Sequence, residues 1–283
     1  MIEIMFPAFV ASLILVGIHG YLGIHIIGRG VIFVDLALAQ VAAMGWALAG
    51  LGVGDSIADA LGIPHGAVAY GIGLAATLLA AAVISLTRME RSRIPHEAII
   101  GIVYVVATAG TILLASLAPR GSEHVEQLLT GALLWVTWSD IWKLVIIYSV
   151  IGVAQWFLRH RFFTISLEPE KAVALGWRIP AWDFLFYALF GVVVTSAVAI
   201  AGVLVVFSFL VIPAVIAFLF TTKPRPLILI AWSSGFVVST LGLWLSFVTD
   251  LPTGPVIVVT FGFALVVAFG LRAALGWNAV AIE

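Results

Sequence analysis

Runs of about twenty consecutive apolar residues recur along almost the whole chain, and no other feature restricts its fold so tightly. They lie at about 6–27, 31–51, 66–86, 98–118, 141–158, 182–200, 203–221, 227–248 and 256–271. At about 1.5 Å per residue, each crosses the roughly 30 Å hydrocarbon core of a bilayer as a helix. Lipid offers no partner for a backbone N–H or C=O, so a spanning segment has to satisfy its own. The expectation is an all-α, polytopic transmembrane bundle of about eight or nine helices, forming one domain over residues 1–283. The first run lacks the basic lead-in of a cleaved signal and is too long for one. A shorter stretch, Leu128 to Trp138, cannot span and reads as a re-entrant or interfacial element.

Charge agrees with this reading. Only 10% of residues are charged, against about 25% in soluble domains, whose surfaces must be solvated. A net charge of −1 gives no electrostatic basis for nucleic-acid binding. Cysteine is absent, which removes disulfides, thiol nucleophiles and thiolate metal sites. A metal handled by this chain must meet carboxylate, imidazole, amide or carbonyl groups. Eleven of the thirteen Lys and Arg fall on one side of the expected topology, in the loops holding Arg88, Arg91 and Arg93, Arg159 to Arg178, and Lys223 with Arg225, and at Arg29 and Arg272. By the positive-inside rule that side is cytoplasmic. The chain is then a multi-pass protein of a bacterial inner membrane, with its N-terminus outside. Arg29 is the weakest of these votes, since the Gly28-Arg29-Gly30 break can tuck into the protein.

Polar residues inside the runs are the candidate functional ones. Asp35 is read as the one acid set within a run. A charge at the bilayer centre costs about 2.5–3.5 kcal/mol on insertion scales, so it tends to face a cavity, a partner or an ion. Solvation at a helix end, or pairing with Arg29, is the plainer reading. Gln40 follows five residues later, about 140° away on a regular helix. A π-bulge between them would bring both onto one face; without it Gln40 bonds a neighbouring helix. His25 and Arg29 share a face, and His19 lies on another. His65 and His124 sit in outward loops beside acids, as solvated side chains or weak cation traps. Small residues such as Gly20 with Gly23, Ala39 with Ala43 and Gly71 with Gly73 suit close helix packing in lipid.

Two loops carry local signals. Glu168 to Gly176 reads as a short cytoplasmic helix that Pro169 and the acids open and Gly176 closes. It is a surface connector or a docking helix for a cytoplasmic partner. Glu97 is placed to favour the start of the run from Ala98, and Thr249 to Pro255 is an outward turn. No GxxxxGK[ST], HExxH or GxSxG motif occurs, so the chain does not itself bind ATP in the P-loop manner.

At these residues the sequence resembles the membrane permeases of bacterial metal-ion ABC importers for zinc, manganese and iron. Glu97-Ala98-Ile99-Ile100-Gly101-Ile102-Val103 is similar to that family's Asp-Thr-Ala-Ile-Gly-Ile-Val. Glu168 to Gly176 resembles Asp-Pro-Glu-x-Ala-x-x-Leu-Gly, and Val203 to Ala214 resembles its Gly-Val-Leu-Leu-Val…Ile-Pro-Ala stretch. Asp250 to Pro255 matches Asp-Leu-Pro-Thr-Gly-Pro.

The resemblance implies a homodimeric permease with a path along its axis, a cytoplasmic ATPase per subunit and an extracytoplasmic solute-binding protein. Residues 168–176 would be the coupling helix, with Glu168, Glu170, Lys171, Ala174, Leu175 and Gly176 facing the ATPase. The divalent metal is cargo, ATP is used by the partner, and no cofactor is bound by this chain. Asp35 takes the family's acidic position on the second helix. The histidine expected four residues later is Ala39, or Gln40 if one residue is inserted, and neither supplies an imidazole; His25 is the candidate to replace it. Asp35, Gln40 and His25 are therefore the expected pathway residues, with Asp35 and His25 as metal ligands. Two rivals remain: the same architecture importing a metal chelate or small organic nutrient, and a secondary transporter coupled to protons through Asp35. An intramembrane enzyme is a more distant third.

Overall fold

The computed structural model describes residues 2–87, 95–117, 131 and 133–275. The basic loop at Arg88, Arg91 and Arg93 lies outside these residues. So do Arg120, Glu123, His124 and Glu126, and so do residues 128–130 and 132 of the stretch proposed to be re-entrant, of which Leu133–Trp135 forms a single 3₁₀ turn. Ten α-helices are seen among the described residues, with no strand: α1 (Ile2–Gly28), α2 (Val34–Leu48), α3 (Gly54–Leu61), α4 (His65–Leu86), α5 (His96–Leu117), α6 (Trp138–Leu167), α7 (Pro169–Ala174), α8 (Ile179–Phe220), α9 (Pro224–Thr249) and α10 (Thr253–Ala274). Eight segments, with α2 and α3 joined into one, are long and apolar enough to cross a membrane.

The runs at 182–200 and 203–221 make up α8, 42 residues in which two helices meet at a kink. A straight helix of that length would reach about 63 Å, twice the hydrocarbon core. Gly202 breaks it with φ 76° and ψ 160°, a conformation open to glycine but strained for other residues. The run at 31–51 extends further than expected. After α2 the chain kinks at Ala49–Val53, where Gly52 has φ 90°, and continues as α3, whose Asp55, Ser56 and Asp59 are exposed.

The helices gather into two compact units. The first comprises Met1–Arg29, Thr130–Leu167 and Ile200–Glu283; the second comprises Gly30–Leu129 and Glu168–Ala199. The chain passes between them four times, so no single cut separates them.

In the first unit α1 packs against both α6 and α9. Small residues allow the closest approaches. A Cβ at Gly23 would overlap the Leu210 carbonyl group, and one at Gly28 would lie 2.8 Å from the Ser166 carbonyl oxygen. Trp232 of α9 donates its Nε1–H to the Gly17 carbonyl at 2.8 Å. Backbone against backbone cannot yield as a side-chain tip can. Gly23→Val is therefore expected to destabilise the protein by about 3 kcal/mol, measured as a lowered unfolding temperature in detergent.

In the second unit α2 packs between α4 and α5. A Cβ at Gly45 would sit 2.7 Å from the Gly73 Cα, and one at Gly110 would sit 2.7 Å from the Met44 sulfur. Gly71, expected to pack like Gly73, has open space. Twelve of the fifteen residues of α2 are buried. Helix α5 instead buries a single stripe, Ile100, Ala107 and Thr111, and exposes Ile102, Val106 and Leu113. Apolar exposure on that scale suits lipid rather than water.

Candidate functional site

Asp35 stands in the first turn of α2, the helix most enclosed within the second unit. It is 1% exposed, and its Oδ1 is buried without a hydrogen-bond partner. A helix N-terminus favours an acid through its free N–H groups and dipole, and that accounts for part of its tolerance. The orphaned oxygen is left over, at a cost of about 1–3 kcal/mol. Asp35 is not the only enclosed acid. Asp183, at the edge of the run from 182, is fully buried on α8, but it has an interaction partner.

The turn leading into α2 is held from α5. Glu97 Oε1 accepts a hydrogen bond from the Ile32 N–H at 2.8 Å. The sequence had placed Glu97 at the start of its own helix; its carboxylate also clamps the link that positions Asp35. Nothing in the local sequence around Ile32 signals this, because its partner lies 65 residues away.

Gln40 is 5% exposed. The stretch from Asp35 to Gln40 is regular α-helix, and the kink falls later, at Ala49–Val53. The two side chains therefore stay about 140° apart.

His25 and Arg29 are buried at the end of α1 in the first unit. Both reach Ser166 of α6: His25 Nδ1 lies 3.0 Å from its Oγ, and Arg29 Nε donates to the same oxygen at 3.0 Å. The guanidinium carbon lies 5.9 Å from the centre of the Phe162 ring. Through Ser166, His25 and Arg29 tie the end of α1 to α6. Burial also removes Arg29 from the exposed charges that set orientation. Ser166 escaped the sequence reading because a serine near a helix end is commonplace.

The chain leaves Ser166 and enters α7 almost at once. Pro169 opens this helix, and its end carries a complete Schellman motif: the Gly176 N–H donates to Val173 O at 2.9 Å and the Trp177 N–H to Ala172 O at 3.2 Å. Gly176 has φ +70°, which is why glycine closes the helix. Ala172 is fully buried and anchors it, while Glu168, Glu170, Lys171, Ala174, Leu175 and Gly176 are exposed. Leu175 is 56% exposed and Val173 49%, an apolar tip on a polar helix. Lys171 and Glu168 pair at 2.7 Å in solvent, an interaction worth less than about 1 kcal/mol.

On α3 and α4, His65 Nε2 lies 3.4 Å from Asp59 and 3.8 Å from Asp55, all three side chains being mostly solvated. Among the described residues no three His, Asp or Glu gather around one point as metal ligands. At the turn expected from Thr249 to Pro255, Asp250 adopts φ 54°. Ser246 bonds the Leu251 carbonyl at 2.8 Å and lies 2.9 Å from the Thr253 hydroxyl.

Comparisons with known proteins agree on one relationship. The model of the ABC 3 transport family matches residues 1–272. The manganese transport system membrane protein MntC of Listeria monocytogenes is 30% identical over 223 residues, 77% of this chain and 79% of that protein. The chelated iron transport system membrane protein YfeC of Yersinia pestis is 29% identical over 231 residues, 80% and 76% of the two chains. Among solved structures, PsaBC from Streptococcus pneumoniae in complex with Fab superposes with a TM-score of 0.74 at 23% identity, covering 93% of this chain and 90% of that one.

Proposed function

Because the chain belongs to the ABC 3 transport family, we propose that it is the membrane permease of an ATP-driven importer whose cargo is a divalent metal cation: manganese, iron or zinc. Two copies form the path along their common axis, each with a cytoplasmic ATPase, and an extracytoplasmic solute-binding protein delivers the ion. The permease does no covalent chemistry. ATP binding closes the ATPase pair, α7 transmits the movement, and the membrane helices switch between outward and inward access.

The observation that carries this reading is the buried carboxylate of Asp35, whose Oδ1 has no protein partner. An acid inside lipid is retained where something passes that it can bind, and a carboxylate attracts a cation and resists an anion. Gln40 supplies a neutral amide on another face of the same helix. The exposed tip of α7 supports docking to a soluble partner through Leu175, Ala174 and Gly176, with Glu168, Glu170 and Lys171 as its polar rim.

Manganese and iron are favoured over zinc. Ala39 and Gln40 stand where an imidazole would serve zinc, and the two relatives are named for manganese and chelated iron transport. The latter name also supports a second reading, in which the ion travels as a chelate. Reconstituted with its ATPase and binding protein, the complex is expected to hydrolyse ATP several-fold faster when free Mn²⁺ is supplied. Stimulation by an iron chelate alone would select the second reading. No response to either would remove both.

A further inference from the structure

In the second unit α4 meets the first half of α8. The Thr195 hydroxyl donates to that of Thr77 at 3.2 Å, and a Cβ at Gly191 would lie 2.8 Å from the Thr77 methyl group. About two turns further along α4, where that helix ends and α8 begins, the two stand apart. The gap is a cavity of about 510 Å³, lined from α4 by Ala82, Ser85 and Leu86 and from the start of α8 by Arg178, Pro180 and Phe184. That size lies within the roughly 300–1,000 Å³ of small-molecule sites.

Only two of these side chains are polar. Ser85 is 1% exposed, and its hydroxyl already donates to the Ala82 carbonyl at 2.9 Å. Arg178 is exposed, and among the described residues nothing pairs with its guanidinium. A permanent cation at the rim of an apolar trough suits an amphiphile with an anionic head. A small soluble anion would gain nothing from the exposed rings and methyls of Phe184 and Leu86. A neutral lipid would leave the guanidinium unmatched.

The cavity also lies at the right depth. The spans His65–Leu86 and Ile179–Phe220 have their adjoining ends there, so it opens where hydrocarbon gives way to headgroups. Trp177 and Trp182 flank Arg178 in the sequence, and tryptophan collects at that level. Arg178 belongs to the crowded basic side of the topology, which is cytoplasmic. Basic pockets between transmembrane helices on that side take anionic lipid headgroups, and a guanidinium binds a phosphate through two parallel N–H groups.

We propose that this cavity seats an anionic phospholipid of the cytoplasmic leaflet, its phosphate on Arg178 and its upper acyl chain along Phe184, Pro180 and Leu86. The seat goes beyond the importer reading and holds whatever the cargo is. It fastens the junction of α7 and α8, two residues past Gly176, to the membrane surface.

Native mass spectrometry of the full-length permease in neutral detergent tests this, with phosphatidylglycerol and phosphatidylcholine of identical chains as probes. One phosphatidylglycerol per chain is expected to bind about fivefold more tightly than phosphatidylcholine. Arg178→Gln should abolish that preference and Arg178→Lys should keep most of it. Ala181→Trp, which fills the cavity from an exposed position, should weaken the binding of both lipids. Arg272→Gln, in the last turn of α10 on the same basic side, should change neither. Equal affinity of the wild type for the two lipids, a preference that survives Arg178→Gln, or unaltered binding in Ala181→Trp overturns the seat. So does displacement of phosphatidylglycerol by glycerol 3-phosphate, which would make this a site for a soluble phosphate. If the preference survives Arg178→Gln while the ATPase no longer co-purifies, Arg178 belongs to the protein-docking surface instead.

Discussion

Asp35→Asn is expected to reduce metal uptake by on the order of 100-fold while leaving the protein as stable as before, or more so. The two effects have one cause. In the folded chain the Asp35 carboxylate is enclosed on α2, and its Oδ1 has no partner, so the helix N-terminus offsets only part of its desolvation. An amide of the same shape carries no charge and costs less to bury. A passing cation, by contrast, loses its charge partner at about 3 kcal/mol, or roughly 100-fold. Stability and transport should therefore move in opposite directions, the signature of a group retained for activity. The measurements are the unfolding temperature in detergent and ⁵⁴Mn uptake into proteoliposomes. A variant that loses both together would make Asp35 a structural residue and end its proposed role in the pathway.

Leu175→Asp should leave the membrane helices intact and release the ATPase. The side chain is more than half exposed at the tip of α7, so little inside the permease depends on it. The Schellman bonds that close the helix are made by the backbone of Ala172, Val173, Gly176 and Trp177, which the substitution does not touch. Exposed leucine on a charged six-residue helix makes sense as an anchor that a partner covers. Burying a carboxylate in its place costs more than about 2 kcal/mol at a docking hot spot, at least 30-fold in affinity. Co-purification of the ATPase with the tagged permease is the readout. Glu170→Ala, on the polar rim, should weaken it far less. An unchanged yield of ATPase with Leu175→Asp would show that α7 is a connector.

Much of this was legible in the residues because lipid imposes few solutions. The apolar runs mark the helix starts to within a few positions, although two of the helical segments run about ten residues further, to Leu61 and Leu167, and Pro169 with Gly176 bounds α7 as expected. Asp35 stood out because a charge in such a run has to be explained. What the sequence hid has a common origin in distance along the chain. Ser166 binds Arg29 across 137 residues, and Glu97 reaches Ile32 across 65; neither pairing leaves a local pattern. Of the two arrangements open for Gln40, the regular helix holds: Asp35 to Gln40 is unbroken, and the kink of this segment comes later, at Ala49–Val53, leading into α3.

The interleaving of the two units has a consequence for biogenesis. Helix α1 leaves the ribosome first, yet the helices it packs against, α6 and α9, follow after more than a hundred and two hundred residues. At about 5–20 residues per second, α1 waits on the order of ten seconds or longer for the later of the two. During that time His19, His25 and Arg29 have no final neighbours, and each is expensive to leave facing lipid chains. The nascent helix therefore needs shelter from the insertion machinery until α6 arrives, and a slowed or truncated translation product would present α1 to membrane proteases as an unfinished span.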